Sequence, residues 1–120
     1  MFGWFKKKRE KLDPESLWTV ECNDTSIRAT DPDGVSTEVL KTDLGGVIIE
    51  TNDTGPWGAD VWWLLFGAGE TVAVAFPQGA SGGEALIAYL ISLEGFDHRA
   101  MVNAMASTDN NVFPVWRRKH

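Results

Sequence analysis

The sequence has few of the side chains that build disulfides and zinc sites. Its 120 residues contain one cysteine, Cys22, and two histidines. A single cysteine cannot form an intramolecular disulfide, which favours a reducing compartment. It also argues against a zinc site, because such sites use several Cys or His ligands. We therefore expect no metal and no cofactor.

Long apolar runs are also missing. No run approaches the roughly 20 residues needed to cross a bilayer, and Met1–Phe5 precedes the first charges instead of following them as a secretory signal would. The length and the hydrophobic content of 43% suit one hydrophobic core. We expect a single cytoplasmic domain.

Signatures of catalysis are absent as well. Cys22 and His98 could form a thiol and base pair, but no family signature surrounds either. The loop that begins at Asp31 and Asp33 is too short for an EF-hand. The glycine-rich segment 79–83 could hold an anion at a helix start, but it lacks the lysine of a phosphate-binding loop. We predict no catalytic residue and no enzymatic activity.

Charge is abundant and unevenly distributed. The chain carries a net charge of −6, yet between Leu17 and Trp116 there are 3 basic and 14 acidic residues, a net charge of −11. Basic residues concentrate in residues 1–15 and 117–120. An acidic body repels nucleic acid and favours a basic partner. We divide the chain into an aromatic-tipped basic tail (1–15), one domain (16–116) and a basic C-terminal end (117–120).

Alternating polar and apolar residues, together with two unbroken runs of β-branched or apolar residues, predict a series of short strands. The predicted strands are Leu17–Cys22, Thr25–Thr30, Val35–Leu40, Val47–Thr51, Val61–Phe66 and Glu70–Phe76. Asp31-Pro32-Asp33-Gly34 predicts a tight turn, because proline presets φ and glycine accepts a positive φ. Strands in this order favour an antiparallel meander of about five to six strands.

The period then changes to that of helices. Ser81 and Glu84 have the spacing of a capping box at the start of a first helix, and Gly95 fits its C-terminal cap. Asp97 can cap a second helix, from His98 to about Ala106. The expected apolar positions of the two helices are Leu86, Ile87, Leu90, Ile91 and Leu93 in the first, and Met101, Val102 and Met105 in the second.

A short extended segment, Val112–Trp116, follows the helices. Pro114 lacks an N–H group, which predicts an edge strand or a segment laid over the core. The fold class is therefore α+β: a meander, two C-terminal helices and this segment. The order of elements is also comparable with pleckstrin-homology-like barrels.

The strand Val61–Phe66 is apolar at every position. Because side chains alternate across a strand, Trp62 and Trp63 must point to opposite faces. Both faces are then covered, which predicts a central strand or an oligomer contact. A homodimer is compatible with this pattern.

Several short patterns resemble a family of small uncharacterised bacterial proteins. They are Thr51-Asn52-Asp53-Thr54-Gly55-Pro56, Asp60-Val61-Trp62-Trp63, Pro77-Gln78-Gly79, Gly95-Phe96-Asp97, Ala104-Met105 and the segment from Phe113 to Trp116. The resemblance covers the body and not the basic tail. It implies a bacterial single-domain protein, and it implies no activity or catalytic residue.

The loop between two predicted strands holds the candidate binding residues Asp53, Trp57 and Asp60. Its alternative interpretation is a shaped turn in which Asp53 bonds backbone amides and Trp57 caps the core. Carboxylates around an accessible tryptophan suit a basic partner. We predict a protein-interaction module with an acidic surface, of which an immunity or antitoxin-like protein is one specific form.

A second hypothesis is a membrane-surface accessory protein, peripheral to the inner face of the membrane. Its contact residues would be Phe2, Trp4, Phe5, Lys6, Lys7, Lys8 and Arg9. Aromatic side chains can insert at a lipid interface, while each cation adds about 1 kcal/mol near anionic headgroups. A small-ligand-binding domain is a further alternative, without positive support in the sequence.

Overall fold

A computed structural model describes residues 17–52, 61–107 and 109–119. Within these residues the chain forms seven strands and two helices, which confirms the predicted α+β class. In chain order they are β1 (Thr19–Cys22), β2 (Ser26–Thr30), β3 (Ser36–Leu40), β4 (Gly46–Thr51), β5 (Val61–Phe66), β6 (Val72–Pro77), α1 (Gly83–Ile91), α2 (His98–Ala106) and β7 (Asn111–Arg117).

The first three strands form a separate antiparallel sheet in the order β1-β2-β3. Side chains close its two turns. Asn23 Oδ1 accepts from the amides of Thr25 and Ser26 at 2.9 and 2.8 Å. Asp31 Oδ1 accepts from the amides of Asp33 and Val35 at 2.9 and 3.0 Å. The predicted tight turn after Asp31 is therefore confirmed.

The other four strands form a second antiparallel sheet in the order β6-β5-β4-β7. β7 returns after both helices and pairs with β4. The prediction of a central β5 is confirmed, and so is the edge position of Pro114. The three-plus-four division, with the helices before the last strand, gives no clear pleckstrin-homology-like arrangement.

The core lies between the two sheets and under the helices. Every strand from β4 to β6 contributes fully buried side chains, and Trp63 and Phe76 stack with their ring centroids 6.2 Å apart. Burying one large apolar side chain stabilises the fold by about 1.5–3 kcal/mol. The buried apolar residues are Val20, Ile27, Ala29, Val39, Leu44, Val47, Ile49, Trp63, Leu65, Val74, Phe76, Ala80, Leu86, Leu90, Phe96, Ala104 and Val115.

The two helices begin in different ways. Helix α1 has Gly82 as its N-cap, in the left-handed conformation and without a side-chain cap hydrogen bond. The predicted capping box of Ser81 and Glu84 is therefore wrong. At α2 the prediction is confirmed, because the Asp97 carboxylate accepts from the Ala100 amide at 2.9 Å.

The apolar positions were predicted well for α1 and poorly for α2. Leu86 and Leu90 of α1 are fully buried. In α2 Met101 packs against the core as predicted, but the fully buried residue is Ala104, whereas Val102 and Met105 are 60% and 42% exposed. Helix α2 packs on β7 and β4, and the small side chain of Ala104 is the one it buries. The C-cap of α1 is Ser92, so the helix ends before Gly95 and the predicted Gly95 cap is wrong.

Candidate functional site

The three-stranded sheet presents a polar outer surface. Glu21, Arg28 and Glu38 lie opposite one another on its three strands. Arg28 Nη2 is 3.8 Å from Glu38 Oε1, and both side chains are exposed. Exposed pairs of this kind contribute little to stability. This surface is the ordinary solvated face of an antiparallel sheet.

The four-stranded sheet presents an apolar outer surface. Its inward side chains include Val47, Ile49, Trp63 and Leu65, all fully buried. Because side chains alternate along each strand and the register aligns the strands, the remaining positions point outward together. We call the outward, solvent-accessible apolar set the apolar face: Ile48, Trp62, Leu64, Phe66, Val72, Ala75, Val112 and Pro114. Pro77 pairs with Trp62 on the same side of the sheet but is buried.

The apolar face is separate from the core. Ile48, Leu64 and Phe66 are half-buried and belong neither to the buried cluster nor to the side chains that pack against it. Val72 and Val112, nearer its sides, are 50% and 56% exposed. Four strands about 4.8 Å apart and six residues of about 3.3 Å give this face dimensions of about 20 by 20 Å. An apolar surface of this size is comparable with the largest patch on a typical monomer, and such patches are often functional.

The neighbouring residues Trp62 and Trp63 point to opposite sides of the sheet, Trp62 to the apolar face and Trp63 to the core. The Trp63 indole N–H donates to Gln78 Oε1 at 2.7 Å from inside the fold. The Trp62 ring lies on the opposite side and packs edge-on against Trp18, with 5.3 Å between the ring centroids. The predicted opposite orientation of the two tryptophans is confirmed.

A β-bulge in β7 shapes the edge of the apolar face. Pro114 pairs with Ile48 and Trp116 pairs with Val47, so Val115 is an extra residue in the ladder. Val115 is buried, and Trp116 packs against the core and donates its indole N–H to the Glu94 carbonyl at 2.9 Å. Such a bulge re-aims the following side chain. Arg117 lies opposite Gly46 and so shares the outward side of the sheet.

An open groove of about 750 Å³ lies at the end of the face where Gly46 pairs with Phe66. Its walls come from the turns 42–46 and 66–70 and from the end of β7. Ile48 and Pro114 line it, so the groove continues the apolar face. Its charged residues are Asp43, Glu70, Arg117 and Arg118.

Arg118 has a structural role beside this groove. Its Nε donates to the Leu44 carbonyl at 2.7 Å and its Nη2 to the Lys41 carbonyl at 3.0 Å. Its guanidinium also lies 5.6 Å from the centre of the Trp116 ring. The predicted basic end therefore has two kinds of arginine, one fixed to a turn and one, Arg117, exposed.

The binding residues predicted from the sequence lie outside the described residues. These are Asp53, Trp57 and Asp60 in the loop, and Phe2, Trp4, Phe5, Lys6, Lys7, Lys8 and Arg9 in the tail. The two ends of the loop are described, because Thr51 pairs with Val61. That pair is at the end of the four-stranded sheet opposite the groove.

The candidate chemical groups do not assemble. Cys22 is half-buried at the end of β1 and packs against the core. His98 is exposed and lies edge-on to Phe96, 5.1 Å between ring centroids. In the described part of the chain, no group of three or more His, Cys, Asp or Glu side chains could hold a metal ion.

The glycine-rich segment before α1 packs against β1. The Val20 amide donates to the Ser81 carbonyl at 2.9 Å, and the Ser81 amide donates to the Trp18 carbonyl at 2.8 Å. Gly82 has a φ of +82°, and a Cβ atom there would meet the Val20 carbonyl oxygen. The segment therefore joins the sheet and the helix.

Sequence reasoning found the central strand of the site and missed its other members. The outward residues of β5 could be read from its unbroken apolar run. Ile48, Pro114 and Arg117 belong to the same surface only because β7 pairs with β4 in a particular bulged register. No local sequence signal specifies that register.

Among the described residues, no helix is both long and apolar enough to cross a membrane. Comparisons with protein-family models, curated proteins and solved structures found no match. The resemblance to small bacterial proteins therefore stays a prediction.

Proposed function

We propose that this protein is a non-enzymatic interaction module that binds another protein through the apolar face and the adjoining groove. The observation that carries the proposal is the outward set of apolar side chains on four adjacent strands, outside the core. Removing such a surface from water gives a gross hydrophobic contribution of about 25 cal/mol per Å², which the entropy cost of association then reduces.

The charge of the body as a whole favours a basic partner. The net charge between residues 17 and 116 is −11, which attracts a cationic surface over long range. Around the face itself the charges are mixed, since Glu50 points outward within the sheet and the groove is bordered by Asp43 and Glu70 and by Arg117 and Arg118. One specific role that requires a basic partner is inhibition of a basic nuclease-type toxin by an immunity or antitoxin-like protein.

The test is affinity capture from an extract of the source cells with the full chain and two variants. Leu64→Lys places a cation at the centre of the apolar face. Thr19→Lys places the same side chain on the exposed outer surface of the three-stranded sheet. We expect the wild type and Thr19→Lys to retain a basic protein that moderate salt releases, and Leu64→Lys to lose it.

A commercial basic protein such as lysozyme measures the contribution of charge alone. We expect lysozyme to bind all three immobilised chains about equally, because it lacks a matching apolar surface. Retention of the same proteins by all three chains, or capture of no basic protein by the wild type, would overturn the proposal.

The groove favours a second candidate, the binding of a small apolar ligand. Its volume of about 750 Å³ lies within the usual range for ligand sites. An apolar fluorescent dye tests this directly: binding that Phe66→Lys abolishes and Thr19→Lys preserves would support a ligand site. Equal binding to both variants would reject it.

The membrane alternative depends on residues 1–11, which lie outside the described residues. Co-sedimentation with anionic vesicles, with and without residues 1–13, tests it. Equal sedimentation of the two chains would dismiss a membrane anchor.

A further inference from the structure

We infer that a second copy of this chain covers the apolar face in the free protein, so that self-association masks the surface until a partner displaces it. The inference rests on the proposed function, because it assigns an occupant to the same face. A two-fold symmetric contact requires a surface that complements itself. The apolar face meets this requirement in its charges and in the positions of its apolar side chains.

Opposite charges stand at opposite ends of the face. Glu50 points outward on β4, and Arg117, on the neighbouring β7, points outward beside Gly46. Glu50 is four positions beyond Gly46 along β4, a distance of about 13 Å. Both side chains are exposed. Neither side chain forms an ion pair with another described residue in a single chain. A second copy with its strands reversed can place an opposite charge near each of them.

One orientation of the two copies uses both charges. In this orientation the two-fold axis lies between the two facing sheets, perpendicular to the strands, and passes over Ile48 and Leu64. The rotation reverses the strand direction between the copies. It places Glu50 over Gly46 of the second copy, one strand from that copy's Arg117 and within reach of a long side chain. An axis along the strands would keep equal ends together and leave the two charges apart.

The same axis also matches the apolar side chains. Leu64 pairs with Ile48 in the sheet, so both residues lie at the axis and meet their own equivalents. Trp62 pairs with Glu50, and Phe66 pairs with Gly46 at the groove. The rotation brings Trp62 over Phe66 and the mouth of the groove in the second copy. An aromatic ring then meets an apolar groove at both ends of the interface.

The size of the face predicts a weak dimer. A face of about 400 Å² is smaller than the roughly 800 Å² that each partner buries in a standard interface. Each copy also carries a net charge of −6, so the copies repel one another at low salt. We expect a micromolar dissociation constant that falls as salt rises. A basic partner should show the opposite dependence on salt.

Sedimentation velocity of the purified full chain over a range of concentrations tests the inference. We compare the wild type with Glu50→Arg, Arg117→Glu, the double variant that exchanges both charges, Leu64→Lys and the surface control Thr19→Lys. Each single reversal should raise the dimer dissociation constant about tenfold, since it places like charges together. The double exchange should return it to within about threefold of the wild type. Leu64→Lys should be monomeric, because two cations meet at the axis.

A wild type that stays monomeric at millimolar concentration would overturn the inference. So would single reversals that match the double exchange. Circular dichroism checks that each variant folds. If Leu64→Lys does not fold, the comparison of the single reversals with the double exchange still tests the inference. Because sedimentation needs only the purified chain, a failed dimer and a failed partner capture are distinguishable.

Discussion

Gly82 shapes the entrance to α1 through its backbone alone. Its φ is +82°, and an added methyl group would meet the Val20 carbonyl oxygen, in a strand held by the Val20–Ser81 hydrogen bond of 2.9 Å. We expect Gly82→Ala to lower the free energy of unfolding by about 3 kcal/mol. About 1–2 kcal/mol of this comes from the left-handed conformation and the rest from the displaced strand. Urea unfolding followed by tryptophan fluorescence measures it.

Gly95→Ala is the matched control for this residue. Gly95 has a φ of +89°, and a Cβ atom there would meet nothing within 4 Å. Gly95→Ala should therefore lower the free energy of unfolding by about 1–2 kcal/mol, the cost of the left-handed conformation alone. Equal losses in the two variants would show that the contact with β1 contributes nothing.

At the scale of elements, the Asp97 cap decides where α2 starts. Its carboxylate accepts from the Ala100 amide at 2.9 Å, and its own amide donates to the Val115 carbonyl at 2.7 Å. Asp97→Ala removes the first bond only, and we expect a loss of about 1 kcal/mol in the free energy of unfolding. Hydrogen exchange should rise in the first turn of α2 and not in α1.

Asp97→Asn is the control, since asparagine caps helices about as well as aspartate. It should unfold within a few tenths of a kcal/mol of the wild type. If the free energy of unfolding falls as much in Asp97→Asn as in Asp97→Ala, the negative charge near the helix N-terminus stabilises α2 more than the hydrogen bond does.

At the scale of the whole molecule, the excess of carboxylates opposes folding. The net charge of −11 between Leu17 and Trp116 is compacted into one domain, and its self-repulsion is screened by salt. Raising NaCl from about 0.01 to 0.1 M shortens the Debye length from about 30 to 10 Å. With this increase in salt we expect the free energy of unfolding of the dilute protein to rise by about 0.5 kcal/mol and its melting temperature by about 3 °C.

The double variant Asp24→Asn and Glu94→Gln controls for this effect, because both side chains are exposed and neither is in an ion pair among the described residues. Its melting temperature should rise less with salt than that of the wild type. A melting temperature independent of salt in both proteins would refute the repulsion argument.

Local physical chemistry explains what could be predicted from sequence. Alternation and unbroken apolar runs located six strands, the Asp31 turn could be predicted from a proline and a glycine, and the Asp97 cap from one acceptor beside a free amide. In each case the interacting groups are a few residues apart. The same local reasoning failed for α1, where the competing constraint on Gly82 comes from distant β1.

The sequence by itself therefore determined the fold class, the order of the elements and the acidic character of the body, since these follow from composition and short periodicities. Only the tertiary structure decided that β7 joins β4 with Val115 bulged, that Ala104 is the buried residue of α2, and that Arg117 lies on the apolar face. The register between β4 and β7 joins residues 60 to 71 positions apart. That register is set by how the whole core packs, which no short stretch of sequence encodes.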